Sequence, residues 1–266
     1  MSKGAKGVPE EWGAGAGLWL RRYHDGEGAP VRLLCFPFAG GSASYFFGLS
    51  RLLSPGVEVL AVQYPGRQDR HAEPCLESVP DLADAVVAQL PPDDKPFALF
   101  GHSMGALVAF EVARRLRGPG GPGRPVRLFA SGGVARPYRP EGSAGLPGDG
   151  DILAHLRSLG GTDERFFASE ELQALILPAL RADYRAVGAY VPPGPERLDC
   201  PVTALIGDAD GRTSPAEAAT WRERTNGDFE LHVLPGGHFY LDACMERVAG
   251  IVADALGAGR PVRTGA

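Results

Sequence analysis

The chain has 266 residues, 44% of them hydrophobic and 22% charged, with a formal net charge of −5. That length can bury the core of one large α/β domain, and the acidic balance argues against a general nucleic-acid binder, whose footprint is a basic surface. The 37 glycines and 24 prolines are clustered, so they mark connectors and ends, not disorder throughout.

In chain order, residues 1–17 read as a flexible leader, with Gly4, Gly7, Gly13, Gly15 and Gly17. No apolar h-region occurs in the first thirty residues, and no apolar run reaches the roughly 18 residues of a membrane span. The expectation is a soluble, cytoplasmic protein. Strands are predicted at Val31–Phe36, Val57–Val62, Phe97–Phe100, Val126–Ala130, Val202–Ile206 and Phe229–Leu234. Several are almost continuously apolar, as in parallel strands covered on both faces, while Val57–Val62 and Phe229–Leu234 alternate more, which suits places nearer an edge.

Helices are predicted between them. Ser78-Val79-Pro80-Asp81 makes a capped start, with Leu82, Val86 and Leu90 on one stripe. Leu107, Phe110 and Leu116 follow the third strand, Pro215 opens a helix to about Thr225, and Cys244 to Leu256 closes the domain. Strand–helix alternation with short connections predicts a doubly wound, mostly parallel sheet spanning 18–256. From about Leu146 to Ala189 the pattern is helical only, flanked by Gly- and Pro-rich stretches, and reads as a helical lid inserted at the ligand end of the sheet. The tail at 257–266 resembles the leader. Cysteines 35, 75, 200 and 244 show no zinc-ligand spacing and read as reduced thiols, Cys35 and Cys244 in the core.

The chemistry centres on Gly101-His102-Ser103-Met104-Gly105. The pentapeptide directly follows a short apolar strand and opens a helix, the setting of a nucleophile elbow. Ser103 then sits on a strained turn, and a side chain at either flanking glycine would collide with the neighbouring strand or helix. A serine hydroxyl needs a base. Of six histidines, His24 and His71 lie in loops, His102 packs inside the elbow, His155 is in the lid and His232 is in a strand. His238 stands in Pro235-Gly-Gly-His-Phe-Tyr240, just past the last strand at the carboxyl end of the sheet, and is the candidate base.

An orienting carboxylate comes from Gly207-Asp208-Ala209-Asp210 after the strand Val202–Ile206. Asp210 is preferred, with Asp208 left to stabilise the turn. The order Ser103, Asp210, His238 is that of the α/β-hydrolase fold. Two backbone N–H groups complete an oxyanion hole: that of Met104, and one from Pro37-Phe-Ala-Gly-Gly41, where Ala39 is preferred over Phe38. No dinucleotide or P-loop motif occurs, so no cofactor and no metal is expected. Arg114, Arg115, Arg117, Arg124 and Arg127 cluster in sequence; the preferred reading is a solvated face, with a surface for an acidic partner as the alternative.

With these residues in view, the chain resembles the type II, or external, thioesterases of polyketide and non-ribosomal peptide synthesis. The resemblance is carried by Leu34-Cys-Phe-Pro-Phe-Ala-Gly-Gly-Ser42, Gln63-Tyr-Pro-Gly-Arg67, Phe100-Gly-His-Ser-Met-Gly-Ala106, Leu180-Arg-Ala-Asp-Tyr-Arg185 and Gly236-Gly-His-Phe-Tyr240. It runs from about Trp19 to Leu256. It implies an α/β-hydrolase with a mobile lid, Ser103, Asp210 and His238 as triad, and Ala39 and Met104 at the oxyanion hole. It also implies hydrolysis of acyl groups from the phosphopantetheine arm of acyl or peptidyl carrier proteins, clearing stalled or mis-primed chains. Two rivals stand beside it, an esterase- or lipase-like hydrolase of small oxygen esters and a catalytically silent binding module on the same fold. No nucleic-acid or membrane partner is expected, and with no oligomerisation signal a monomer is the default.

Overall fold

The computed structural model describes residues 8–9, 12, 15–91, 93–116, 123–134 and 148–258. Its strands are β1 (Leu20–Arg21), β2 (Arg32–Phe36), β3 (Glu58–Val62), β4 (Phe97–His102), β5 (Arg127–Ser131), β6 (Val202–Gly207) and β7 (Phe229–Leu234). Among the described residues they form a seven-stranded sheet in the order β1-β3-β2-β4-β5-β6-β7. β1 runs antiparallel to β3, and the other neighbours are parallel. The six predicted strands are all present, each within two residues of its expected ends. β1 was not expected, since two residues carry no periodicity. β7 is the edge strand its alternation predicted, whereas β3 is buried along its whole length, one strand in from the other edge.

Alternation along the strands divides the core between two faces. Leu34 and Phe36 of β2 join the cluster with helices α3 (Val79–Val87) and α4 (Met104–Arg115). Leu33 and Cys35 face the opposite cluster, built with α2 (Phe47–Leu53) and α9 (Leu241–Ala255). Helices thus cover both faces, as a doubly wound sheet requires. The start of α3 is capped as expected, the Ser78 side chain accepting from the Asp81 N–H.

Between β5 and β6 lies the predicted helical insertion, made of α5 (Asp149–Leu159), α6 (Glu164–Ala168) and α7 (Glu170–Ala189). Ile152, Leu156, Phe166, Leu177 and Leu180 give it a small core of its own. No described helix is long and apolar enough to cross a membrane.

Four expectations need correction. The leader is not wholly free: Val8 and Trp12 pack against the core, Ala16 is fully buried in a short helix α1 (Ala16–Trp19), and the Arg32 guanidinium stacks on the Trp12 ring. The helix from Pro215 is only α8 (Pro215–Ala218), continued as a 3₁₀ turn over Ala219–Arg224 that buries Trp221. The last helix starts three residues early and kinks at Cys244, whose thiol is half-buried against Pro235 O, while Cys200 is buried along with Cys35. Most of the tail at 257–266 and the Gly/Pro connector after α4 lie outside the described residues, except 257–258 and 123–125.

β3 carries a charge into the sheet. Glu58 is 1% exposed and holds Arg32 Nε at 3.0 Å and Lys95 Nζ at 2.8 Å. Removing Glu58 takes from Arg32 its buried partner, leaving it only the more exposed Asp93, and takes the carboxylate from Lys95. Glu58→Ala should lower the unfolding free energy by about 3 kcal/mol in urea titration; a loss under about 1 kcal/mol would show that the cluster is effectively solvated.

Candidate active site

The carboxyl ends of β2, β4, β5, β6 and β7 share one edge of the sheet, and the sequence order reverses between β2 and β4. Ligands in such sheets bind at that reversal. At the end of β4, Ser103 has φ 55° and ψ −118°, a region that disfavours any residue with a Cβ. Its backbone is fixed from both sides: the Ser103 N–H donates to Ser131 O at 2.8 Å, and Ser103 O accepts from the Ala106 N–H at 2.9 Å. The elbow closes because its flanking glycines lack side chains. A Cβ on Gly105 would run into the Phe36 carbonyl oxygen and lie 2.8 Å from Pro37 O, and one on Gly101 would strike the Gly105 backbone.

Gly105 therefore lets the loop leaving β2 lie directly on the start of α4. That brings Ala39 of the loop and Met104 of the helix to the same cavity. The Met104 N–H belongs to the first turn, which has no acceptor within the helix and sits at the positive end of its dipole.

His238 is 7% exposed, and its Nδ1 lies 2.9 Å from Asp210 Oδ2 in a carboxylate fully shielded from solvent. A carboxylate accepts, so Nδ1 donates and Nε2 keeps the lone pair that a general base needs. Asp210 Oδ1 accepts from the Arg212 N–H at 2.8 Å, which fixes the carboxylate plane. Asp208 does something other than stabilise its own turn: its Oδ1 accepts from the Gly236 N–H at 2.9 Å and ties the two loops together.

Ser103, His238, Ala39 and Met104 line one cavity of about 390 Å³, within the usual range for small-molecule sites. The insertion supplies another wall through His155, Leu156, Leu159, Tyr184 and Val187, and the β6–β7 side adds Arg212, Thr213 and Glu217. Sequence reasoning did not place Arg212, Tyr184 or Glu217 here. The Arg212 Nη1 lies 2.6 Å from His155 Nε2, so a charge and an imidazole meet in the cavity wall.

His102 packs as expected inside the elbow, fully buried, its Nδ1 2.8 Å from Ser131 Oγ, which is 2.5 Å from the Tyr240 hydroxyl. Its ring centroid is 5.2 Å from that of His238. Burial, and then the electrostatic coupling to the neighbouring His238, hold His102 well below the ordinary histidine value. His155 is lowered for the same two reasons. The cluster of arginines does not remain a free basic face. Arg114 pairs with Glu111 and Glu196, Arg115 with Asp84 and Glu111, Arg124 with Asp199 and Arg127 with Glu230; Arg117 lies outside the described residues.

Residues 31–256 match the family model of the thioesterase domain. The thioesterase PikA5 of Streptomyces venezuelae is 49% identical over 243 residues, 91% of this chain and 86% of that protein. Among solved structures, the type II thioesterase BorB from the borrelidin biosynthetic cluster superposes with TM-score 0.79 at 42% identity, covering 90% of this chain and 98% of the other. RedJ, a thioesterase from the prodiginine biosynthetic pathway in Streptomyces coelicolor, gives TM-score 0.75 at 37% identity, with 86% and 91% covered.

The buried imidazole of His102 makes a prediction about stability. The folded state keeps it neutral, while the unfolded chain takes on a proton near pH 6.5. Its contribution is complete above that pH and is lost as pH falls, at up to about 1.4 kcal/mol per pH unit. Urea unfolding of His102→Asn between pH 7 and 5 should show a flatter dependence than wild type; parallel slopes would mean that His102 is protonated in the fold.

Proposed function

Because the chain belongs to the thioesterase family, we propose that it hydrolyses acyl thioesters on the phosphopantetheine arm of acyl or peptidyl carrier proteins and so removes stalled or aberrant chains. It is a hydrolytic enzyme of the type II thioesterase class of polyketide and non-ribosomal peptide biosynthesis. The observation that carries the mechanism is the strained Ser103 on the wall of a cavity that also holds the Asp210-bound His238.

In this reading His238 Nε2 takes the proton of Ser103 as Oγ attacks the thioester carbonyl. Asp210 holds the ring in the right tautomer and stabilises the imidazolium. The Ala39 and Met104 N–H groups receive the oxyanion, and each such donor is worth on the order of 3 kcal/mol in the transition state. The carbon–sulfur bond then breaks, and His238 returns the proton to the leaving pantetheine thiolate. Water enters, gives a proton to His238, and its oxygen attacks the acyl-enzyme. Collapse releases the free acid and restores the Ser103 hydroxyl. The helical insertion, with Leu156, Leu159 and Val187 on the cavity wall, acts as the lid that shields the acyl chain.

The test is direct. Ser103→Ala should lower the hydrolysis of an acyl group on a carrier protein by at least about a thousandfold while circular dichroism and Tm stay unchanged. Turnover near that of wild type would remove Ser103 from its role, and a wild-type enzyme that cleaved nitrophenyl esters but no carrier-linked acyl group would favour the oxygen-ester reading.

A further inference from the structure

Arg67 and Asp183 stand in the two motifs that the mechanism leaves unused, Pro65-Gly-Arg67 and Arg181-Ala-Asp183. The chain separates them by 116 residues, yet they form an ion pair through Arg67 Nη2 and Asp183 Oδ2. Both are buried, Asp183 completely. Burial pushes the Asp183 carboxyl up, against the opposing pull of Arg67 and of a backbone hydrogen bond. A pair so dehydrated is an uncertain source of stability, because desolvation offsets most of the attraction.

What Asp183 also touches is more informative. Its Oδ2 accepts from the Gly40 N–H at 2.7 Å. Gly40 is the residue after Ala39 and has φ +77°, which favours glycine. A Cβ there would overlap Leu180, three residues before Asp183 on the same face of α7. Thus one turn of α7 grips one residue of the β2 loop twice, by packing and by a charge-assisted hydrogen bond. Arg67 is itself fixed, its Nη1 donating to Pro65 O at 2.7 Å. Gln63 holds the far end of the loop, accepting from the Ala43 N–H at 3.0 Å and donating to Arg67 O at 3.2 Å.

We propose that Asp183, oriented by Arg67, is a positioning residue that sets the direction of the Ala39 N–H from α7 of the insertion. The inference rests on the reading of Ala39 as an oxyanion donor. It makes α7 a fixed part of the catalytic apparatus, so that opening of the insertion must take place in α5 and α6, or else dismantle the oxyanion hole as it happens.

Replacing a buried ion pair by apolar side chains of similar volume tends to preserve stability, which separates positioning from mere support. In Arg67→Met/Asp183→Leu, Tm should stay at or above that of wild type. Its kcat on an acyl-carrier substrate should fall by about a hundredfold, the effect of losing one oxyanion donor, with KM within about twofold. Arg67→Met/Asp183→Asn returns an acceptor to the Gly40 N–H and should recover at least tenfold of that loss. A folded leucine double variant with kcat within about twofold of wild type would overturn the proposal. Amide hydrogen exchange on the unaltered protein tests it without any activity or variant: the Gly40 N–H should be as protected as the amides of α7, and a Gly40 amide that exchanges at the rate of an open loop would overturn it as well. Loss of hydrolysis in Ser103→Ala bears on the triad alone, so failure of the activity reading and failure of this one are told apart.

Discussion

The structure turns on a place where two backbones touch. The Cα of Gly105, in the first turn of α4, lies so close to the Phe36 and Pro37 carbonyls that no side chain fits between them. Close packing of this kind transmits position without slack. It sets the loop after β2 against the first turn of α4, which is why Ala39 and Met104 line one cavity. The same turn forces Ser103 into its strained backbone region. Strain at a functional residue persists only where the surroundings over-determine it. Here the Ser131 carbonyl and the Ala106 amide do so, by hydrogen bonds on either side of Ser103.

The remaining parts are hung from the same sheet edge. β6 and β7 pair in parallel to Gly207 and Leu234, so the loops bearing Asp210 and His238 leave side by side, and Asp208 stitches them together. The insertion reaches the opposite side of the cavity and touches the β2 loop at Gly40. The arrangement separates two tasks. Asp210 and His238 follow β6 and β7 and meet there, while Ala39 and Met104 belong to the β2 loop and α4, with Asp183 of the insertion bonded to the neighbouring Gly40. A disturbance of one set should leave the other in place, which is the condition for reading their contributions separately.

Much of this was legible in the sequence, and the reasons differ from element to element. β2, β4 and β6 are covered on both faces, so their apolar runs announced them. The elbow was legible because its glycines answer to a steric demand, and Asp210 and His238 because each follows a strand at the ligand end of the sheet. β1 was not, since two residues carry no period. The Arg67–Asp183 pair was named only as part of a resemblance. The signal for it was a charged residue in the apolar stripe of α7, one turn beyond Leu180, where an unpaired charge is not tolerated. Its partner could not be read from spacing, because the contact is set by tertiary packing. The leader misled for a similar reason: its glycines pointed to mobility, and the stacking of Arg32 on Trp12 has no local signature.

The central claim is that folding alone activates Ser103. A fluorophosphonate reacts with a serine hydroxyl only when a base and an oxyanion site are assembled around it, so peptide mass spectrometry after such labelling reads that assembly directly. The account predicts one adduct, on Ser103, formed by the folded protein and absent after denaturation. No adduct on the folded protein, or one on a different serine, would contradict it.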